Sequence, residues 1–283
     1  MKKIIHIILL VLCASGISVA QRPFEMGVMA GGTLYHGDIA RFYQSGIRPG
    51  IGITANYSFQ LPVAVRANLI YGNVAAKDKL NPSSKLNFKS PIYEYSVQFE
   101  YLITRLKSRT RNYSVKSNRR GSRFDNFPAI TYVFVGIGQF AFNPKGKYTD
   151  GSWYELQPLS TEGQGLISTR EQYKKMSLII PYGAGIRFLV EKGFYLGFEV
   201  GIRKTYTDYL DDVSLTYVNT SLIRTNNGDI AAYFADPAEN PDLTAKYPAV
   251  SRGNPKYKDA YMFTFVSLSY DFPKQKRTTK FKL

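Results

Sequence analysis

Hydrophobic and polar residues alternate along eight segments of the chain, which predicts strands rather than helices. In residues 63–73 the odd-numbered positions from 63 to 71 are apolar, whereas the facing positions include Arg66, Asn68 and Gly72. Similar alternation recurs at residues 50–59, 93–101, 180–188, 196–203 and 261–272, and a weaker, glycine-rich alternation at 24–35 and 129–142. A period of two is typical of a strand with two different faces, and a tilted strand crosses a bilayer in roughly 9–11 residues.

The residues opposite the apolar rows distinguish a membrane barrel from a soluble β-protein, in which the apolar rows would face inward. Many of these residues are glycine or other small residues, which suit the crowded interior of a narrow barrel. Six are charged, three of each sign, and can pair across such an interior: Arg66, Glu94, Glu100, Arg187, Glu199 and Arg203. The pattern predicts an all-β, eight-stranded antiparallel transmembrane barrel. A soluble β-protein stays the alternative, because the signal of each strand is weak.

The connections between the predicted strands alternate in length. Those after the second and sixth strands have about three or four residues, whereas those after the odd-numbered strands have about 15, 18, 35 and 55. Outer-membrane barrels have short periplasmic turns and long extracellular loops. We therefore expect a location in the cell outer membrane, with both termini in the periplasm.

The N-terminal residues predict secretion. Residues 1–20 combine a positive start, a short apolar run and small residues before a cleavage site after Ala20. Cys13 is expected to leave with this signal peptide, because the bulky residue before it does not suit lipoprotein processing. The barrel then extends over residues 21–272, followed by a basic periplasmic tail at 273–283. Without a cysteine, the mature chain has no disulfide or thiolate metal site.

One connection departs from the alternation in length, and its charge is informative. Residues 103–128, between the fourth and fifth strands, should form a short periplasmic turn but are long and carry a net charge of +7. The tail adds +5, so twelve of the fourteen net positive charges of the mature chain are predicted on one side of the membrane. The basic residues are Arg105, Lys107, Arg109, Arg111, Lys116, Arg119, Arg120, Arg123, Lys274, Lys276, Arg277, Lys280 and Lys282.

These two segments, the basic turn (103–128) and the basic tail (273–283), have three interpretations. A solvated, flexible loop would explain the charges without any partner. Binding of nucleic acid does not fit a secreted chain. Docking of an acidic periplasmic protein, or of anionic lipid headgroups, fits best, because a cluster of one sign steers and holds an oppositely charged partner.

The chain offers little material for catalysis. His36 is the only histidine after the signal peptide, so neither a transition-metal centre nor a Ser-His-Asp triad is expected. Asp208, Asp211 and Asp212 are a weak candidate for Ca²⁺ binding, but no calcium-loop pattern surrounds them. A capped strand end or a solvated acidic loop explains these carboxylates at least as well. We predict no enzyme, no cofactor and no metal.

Five short motifs are spread from the first strand to the last long connection. They are Tyr35-His36-Gly37-Asp38, Phe140-Ala141-Phe142-Asn143-Pro144, Gly151-Ser152-Trp153-Tyr154-Glu155-Leu156-Gln157-Pro158-Leu159, Thr161-Glu162-Gly163-Gln164-Gly165 and Thr207-Asp208-Tyr209-Leu210-Asp211-Asp212-Val213-Ser214. Together the motifs resemble those of the PorG-like outer-membrane proteins of Bacteroidota. The resemblance implies an eight-stranded barrel of the type IX secretion system. Such a protein connects the outer membrane to a periplasmic ring of a PorK-like lipoprotein and a PorN-like partner.

Three functions compete at this point. The first is a non-catalytic anchor of a periplasmic ring, held in outer-membrane lipid by a passive, side-chain-filled barrel. The second is a surface binding or adhesion barrel that uses its long extracellular loops. The third is a small-solute channel, which the narrow interior of eight strands disfavours.

Overall fold

The computed structural model describes residues 24–59, 62–103, 129–191, 193–239 and 250–272. Most of these residues lie in eight long antiparallel strands, and two short strands and a helix lie in the connections. In chain order the elements are β1 (Phe24–His36), β2 (Arg48–Ser58), β3 (Val63–Lys77), β4 (Asn87–Leu102), β5 (Ala129–Phe142), β6 (Lys145–Lys147), β7 (Trp153–Glu155), β8 (Met176–Glu191), β9 (Phe194–Thr205), α1 (Thr220–Ala235) and β10 (Ala260–Phe272).

The eight long strands close into a barrel. Each strand pairs with the next long strand along the chain, from β1 through β5, β8 and β9 to β10. The pairing of β1 with β10 closes the ring, with Phe24 opposite Phe272 and His36 opposite Ala260. The predicted fold class, an eight-stranded antiparallel barrel, is confirmed.

The outer face of the barrel is apolar, and this distinguishes it from a soluble barrel. Along β4, Tyr93 to Tyr101 alternate between exposed odd-numbered and buried even-numbered residues. The exposed apolar residues of the eight strands include Met26, Val28, Ile51, Ile53, Leu69, Tyr71, Val97, Phe99, Val133, Val135, Ile137, Tyr182, Phe198, Val200, Val266 and Leu268. A continuous apolar belt of this size is expected of a strand barrel that faces lipid.

The interior has two zones. Towards the rim with the short β2–β3 and β8–β9 connections, which we call the turn end, the inward side chains are mostly charged or polar. Towards the opposite rim, the loop end, they form an apolar core that continues into the loops. This core includes Tyr35, Ile92, Phe140, Phe142, Tyr261, Phe263 and Phe265 from the strands, and Ile39, Leu156, Leu210, Val213 and Phe234 from the connections.

The long connections contain structure that the alternation of residues did not predict. β3 and β4 pair as far as Lys77 and Asn87, several residues beyond the predicted strands. Helix α1 begins after Asn219, whose side chain accepts a hydrogen bond from the Ser221 backbone N–H, and it kinks at Gly228, where φ is +85°. No helix in the described part of the chain is long and apolar enough to span a membrane.

Candidate functional site

Four of the predicted lumen residues meet in one ion-pair cluster near the turn end. Arg66 Nη1 lies 2.5 Å from Glu199 Oε2 and 3.0 Å from Glu100 Oε1. Arg187 Nη2 lies 2.5 Å from Glu100 Oε2. All four side chains are at most 7% exposed, so the cluster crosses the barrel interior away from solvent.

The sequence did not predict two further members of this cluster, Glu25 and Tyr132. Glu25 in β1 lies 3.5 Å from Arg187, and the Tyr132 hydroxyl donates a hydrogen bond of 2.8 Å to Glu199. β1 is rich in glycine, so its alternation was too weak to assign Glu25 to a face. Tyr132 lies in the weakly alternating segment 129–142, which does not indicate its face, and its hydroxyl needs a polar partner when buried.

The other two predicted lumen residues pair closer to the loop end. Arg203 Nε lies 3.2 Å from Glu94 Oε2, and both side chains are fully buried. The Tyr261 hydroxyl donates to the same carboxylate oxygen at 3.0 Å, and the Arg203 guanidinium lies 4.7 Å from the centre of the Phe263 ring. The pair therefore ends the charged zone where the aromatic core begins.

A second buried polar network closes the loop end, and it contains residues from three of the five motifs. The Tyr35 hydroxyl donates to Asp211 and, at 3.1 Å, to Asp259. Gly37 passes directly over this contact, because a Cβ there would lie 2.0 Å from the Tyr35 hydroxyl and 1.9 Å from Asp259 Oδ1. The Leu210 backbone N–H donates to the other oxygen of Asp259 at 2.9 Å.

Glu162 and Arg252 join this network to the longest loops. Glu162 accepts hydrogen bonds from the backbone N–H groups of Ser214 and Leu215, at 2.9 and 3.0 Å. Arg252 Nη1 lies 3.0 Å from Glu162 Oε1 and donates to the Asp212 carbonyl at 2.5 Å. We call the buried set of Tyr35, Glu162, Asp208, Asp211, Asp212, Arg252 and Asp259 the cap network.

The carboxylates of the cap network are perturbed. Burial raises the pKa of Asp208 to about 7 and that of Asp212 to about 6, although Arg252 opposes the shift of Asp212. Burial first, and neighbouring carboxylates second, raise the pKa of Asp211 and of Asp259. Several carboxyl groups are thus buried where the loss of hydration destabilises their charged form.

The structure separates the carboxylates of Asp208, Asp211 and Asp212, the weak calcium candidate of the sequence. Within the described ranges no three acidic, histidine or cysteine side chains converge on a point that could hold a metal ion. The three carboxylates have separate partners: Asp208 accepts from Ser214, Asp211 from Tyr35, and Asp212 from Tyr173. Their spacing in sequence suggested a shared ligand, whereas the turn directs them to different neighbours.

The basic residues predicted to bind a partner lie outside the described residues, as does the predicted signal peptide. The described residues nevertheless fix where the two basic segments leave the barrel. The basic turn lies between Leu102, which pairs with Tyr132, and Ala129, which pairs with Phe188. The basic tail follows Phe272, which pairs with Phe24. Both segments therefore leave from the turn end, opposite the cap network.

A family model described as "Domain of unknown function (DUF6089)" matches residues 2–234. The chain belongs to this family. The match covers the barrel as far as helix α1 and includes all five motifs. No curated protein sequence matches the chain at a significant level.

Solved structures similar to this DUF6089 chain are small outer-membrane proteins. Ail of Yersinia pestis, in complex with the heparin analogue sucrose octasulfate, is 9% identical with a TM-score of 0.40, covering 89% of this chain and 99% of Ail. Neisserial surface protein A is 10% identical with a TM-score of 0.39, covering 88% of this chain and 97% of that one. OprG from Pseudomonas aeruginosa is 10% identical with a TM-score of 0.36, covering 89% and 96%.

Proposed function

We propose that this protein is a non-catalytic outer-membrane barrel that anchors a periplasmic ring of a secretion system to the outer membrane. Its partners would be the lipoprotein-type (PorK-like) and PorN-like ring proteins that the motif resemblance implies. The basic turn and basic tail would form the docking surface, and the barrel would hold that surface at the membrane.

One observation carries this proposal. The two segments that contain twelve of the fourteen net positive charges expected in the mature chain leave the barrel at the same rim. In a barrel with external loops this rim faces the periplasm. A concentration of one charge at one end speeds the encounter with an acidic partner and orients it.

The packed interior supports an anchor rather than a channel. The Arg66–Glu100–Arg187 cluster crosses the lumen at one level, and the Arg203–Glu94 pair crosses it at another. Above them the aromatic core and the cap network fill the loop end. A filled barrel of this kind provides a rigid membrane support.

A surface binding or adhesion barrel is the second candidate. The observation in its favour is that the loop end is a folded unit, with the β6–β7 hairpin and α1 packed on the core, rather than a set of independent loops. Exposed Tyr43, Tyr206 and Tyr257 at this end offer aromatic contact area. The two candidates place the partner at opposite ends of the same barrel, so one experiment separates them.

Capture by the full-length tagged protein tests the proposal. The triple change Arg119→Gln, Arg120→Gln and Arg123→Gln should reduce co-purification of the PorK-like and PorN-like proteins from cell envelopes. Capture by the wild type should also fall as salt rises, because about 0.1 M salt already limits charge interactions to roughly 10 Å.

The matched control removes three positive charges from the loop end, by Lys204→Gln, Arg224→Gln and Lys256→Gln. This control should capture the ring proteins as the wild type does, and both variants should keep the heat-resistant barrel in detergent. Equal capture by the wild type and the Arg119, Arg120 and Arg123 variant would contradict docking at the basic turn. Loss of capture in the control variant alone would favour a binding surface at the loop end, as the adhesion candidate requires.

A further inference from the structure

A group of cations lies on the outer surface of the barrel at the loop end. Lys89 in β4 pairs directly with Lys145 in β6, and Lys147 follows two residues later in the same strand. Directly paired residues of antiparallel strands share a face, and so do alternate residues of one strand. The three lysines therefore share one face, and the positive charge of Arg48 acts on the Lys89 ammonium as well. We call these four residues the cationic rim.

The carboxylates of the chain do not balance this charge. Glu155, which pairs with Lys145 in β7, lies 3.3 Å from Lys145 and 3.6 Å from Lys175. Among the residues that the structure describes, no carboxylate forms an ion pair with Lys89, Lys147 or Arg48. Like charges in opposed positions on neighbouring strands destabilise the pairing, and an anion from outside the chain would remove this repulsion.

The position of the cationic rim identifies the source of such an anion. Lys89 lies on the outward row of β4, four residues beyond Tyr93, or roughly 13 Å along the strand. Tyr93 packs against Tyr71 with ring centroids 5.0 Å apart, at the edge of the apolar belt. The Lys89 ammonium lies 3.9 Å from the centre of the Trp153 ring. Tyrosine and tryptophan mark the membrane–water interface, so the rim lies at the level of the lipid headgroups.

We propose that the cationic rim binds the phosphomonoester groups of a lipid A-type glycolipid in the leaflet at the loop end. Three cations without a carboxylate partner match a phosphomonoester, which carries about 1.5 to 2 negative charges at neutral pH, better than the single charge of a phosphodiester. The ammonium and guanidinium groups donate charge-assisted hydrogen bonds to the phosphate oxygens. This inference rests on the membrane-spanning fold and not on docking of a periplasmic partner, which would occur at the other end.

Trp153 makes the site directly observable, because it is the only tryptophan of the chain. The full-length barrel in non-ionic detergent micelles would be titrated with diphosphoryl lipid A while the tryptophan emission is recorded. The emission should change and saturate. Phosphatidylglycerol, a phosphodiester, should require at least about ten times the concentration, and inorganic phosphate at the same phosphate concentration should produce no saturating change.

Variants separate a built site from general attraction to a positive protein. Lys89→Gln with Lys147→Gln should raise the half-saturating lipid A concentration about ten-fold, whereas Lys89→Arg with Lys147→Arg should restore it. Lys204→Gln with Lys256→Gln removes two exposed charges from the β9–β10 side and should leave it unchanged. An equal loss in both Gln pairs would overturn the assignment to the cationic rim. If phosphatidylglycerol saturates the signal at the same concentration as lipid A, the preference for a phosphomonoester is wrong. If inorganic phosphate does so, the assignment to a lipid ligand is wrong.

Discussion

Arg252 Nη1 lies 3.0 Å from Glu162 Oε1, and this contact joins two loops whose residues are 90 positions apart in the chain. Both side chains are almost completely buried, at 2% and 0% exposed. Glu162 also holds two backbone N–H groups of the segment after Asp212. One ion pair thus fastens the β5–β8 connection to the β9–β10 connection and closes the loop end of the barrel.

Arg252→Met should therefore open the cap while the barrel stays closed. The change leaves Glu162 buried without its cation, and the loss of one partner from a buried pair costs about 3–5 kcal/mol. Hydrogen exchange of the Ser214 and Leu215 amides should accelerate, with strand amides unaffected. Arg224→Met is the control, because its ion pair with Asp229 is mostly exposed and such pairs contribute little. Exchange at wild-type rates in Arg252→Met would show that the pair does not hold the loops.

The raised carboxylate pKa values predict that the cap loosens as the pH rises. In the folded chain Asp208 and Asp212 titrate near pH 7 and 6, whereas an unfolded aspartate titrates near 3.8. Between about pH 4 and 7 the folded cap therefore binds more protons than the open loop, and its stability falls with increasing pH.

The same amide-exchange measurement tests this pH dependence after correction for intrinsic exchange. Opening of the segment that contains Ser214 should be rarer at pH 5 than at pH 8. Asp208→Asn removes one titrating group and should weaken the dependence. A cap that becomes more stable between pH 5 and 8 would have the opposite sign from the one predicted.

The charged zone of the lumen should contribute strongly to the stability of the barrel. Glu100→Gln leaves Arg66 and Arg187 in the interior without the carboxylate they share, which should lower the free energy of unfolding by about 3–5 kcal/mol. Urea unfolding in micelles measures this loss. Glu155→Gln, which removes an exposed carboxylate, 43% exposed, should have little effect. If both variants unfold at the same urea concentration, the lumen pairs do not stabilise the fold.

The filled interior also predicts that the barrel does not conduct ions. The purified protein in planar bilayers should show no large, stable conductance, because two levels of ion pairs and an aromatic core occupy the lumen. Currents of porin size would require a wider barrel than eight strands enclose.

Much of the barrel could be predicted from the sequence, because a membrane strand has two chemically different faces. The alternation around Arg66, Glu94 and Glu100 indicates which side chains point inward, and the balance of signs indicates that they pair. Glu25 was missed, since the glycines of β1 carry no information on which face is apolar. The partners of each charge also depend on the stagger of the strands around the ring, which no single strand encodes.

The loop end was much less predictable. Arg252 and Glu162 lie in connections without periodicity, so nothing local indicates that they meet. The motifs that contain Gly37, Glu162 and Asp211 were recognisable by resemblance, and the structure supplies their physical role: they build the cap network. Helix α1 was missed because its buried residues are concentrated after the kink at Gly228 and form no stripe along its length.

Site-specific photo-cross-linking in intact cells tests the central claim, an anchor whose docking surface is at the turn end, most directly. A photoreactive residue placed at Arg120 in the basic turn would be compared with one at Arg224 in α1. We predict an adduct with a periplasmic ring protein from position 120 and none from position 224. An adduct with a ring protein only from position 224, or the absence of any periplasmic adduct from position 120 while the barrel is assembled, would contradict the account.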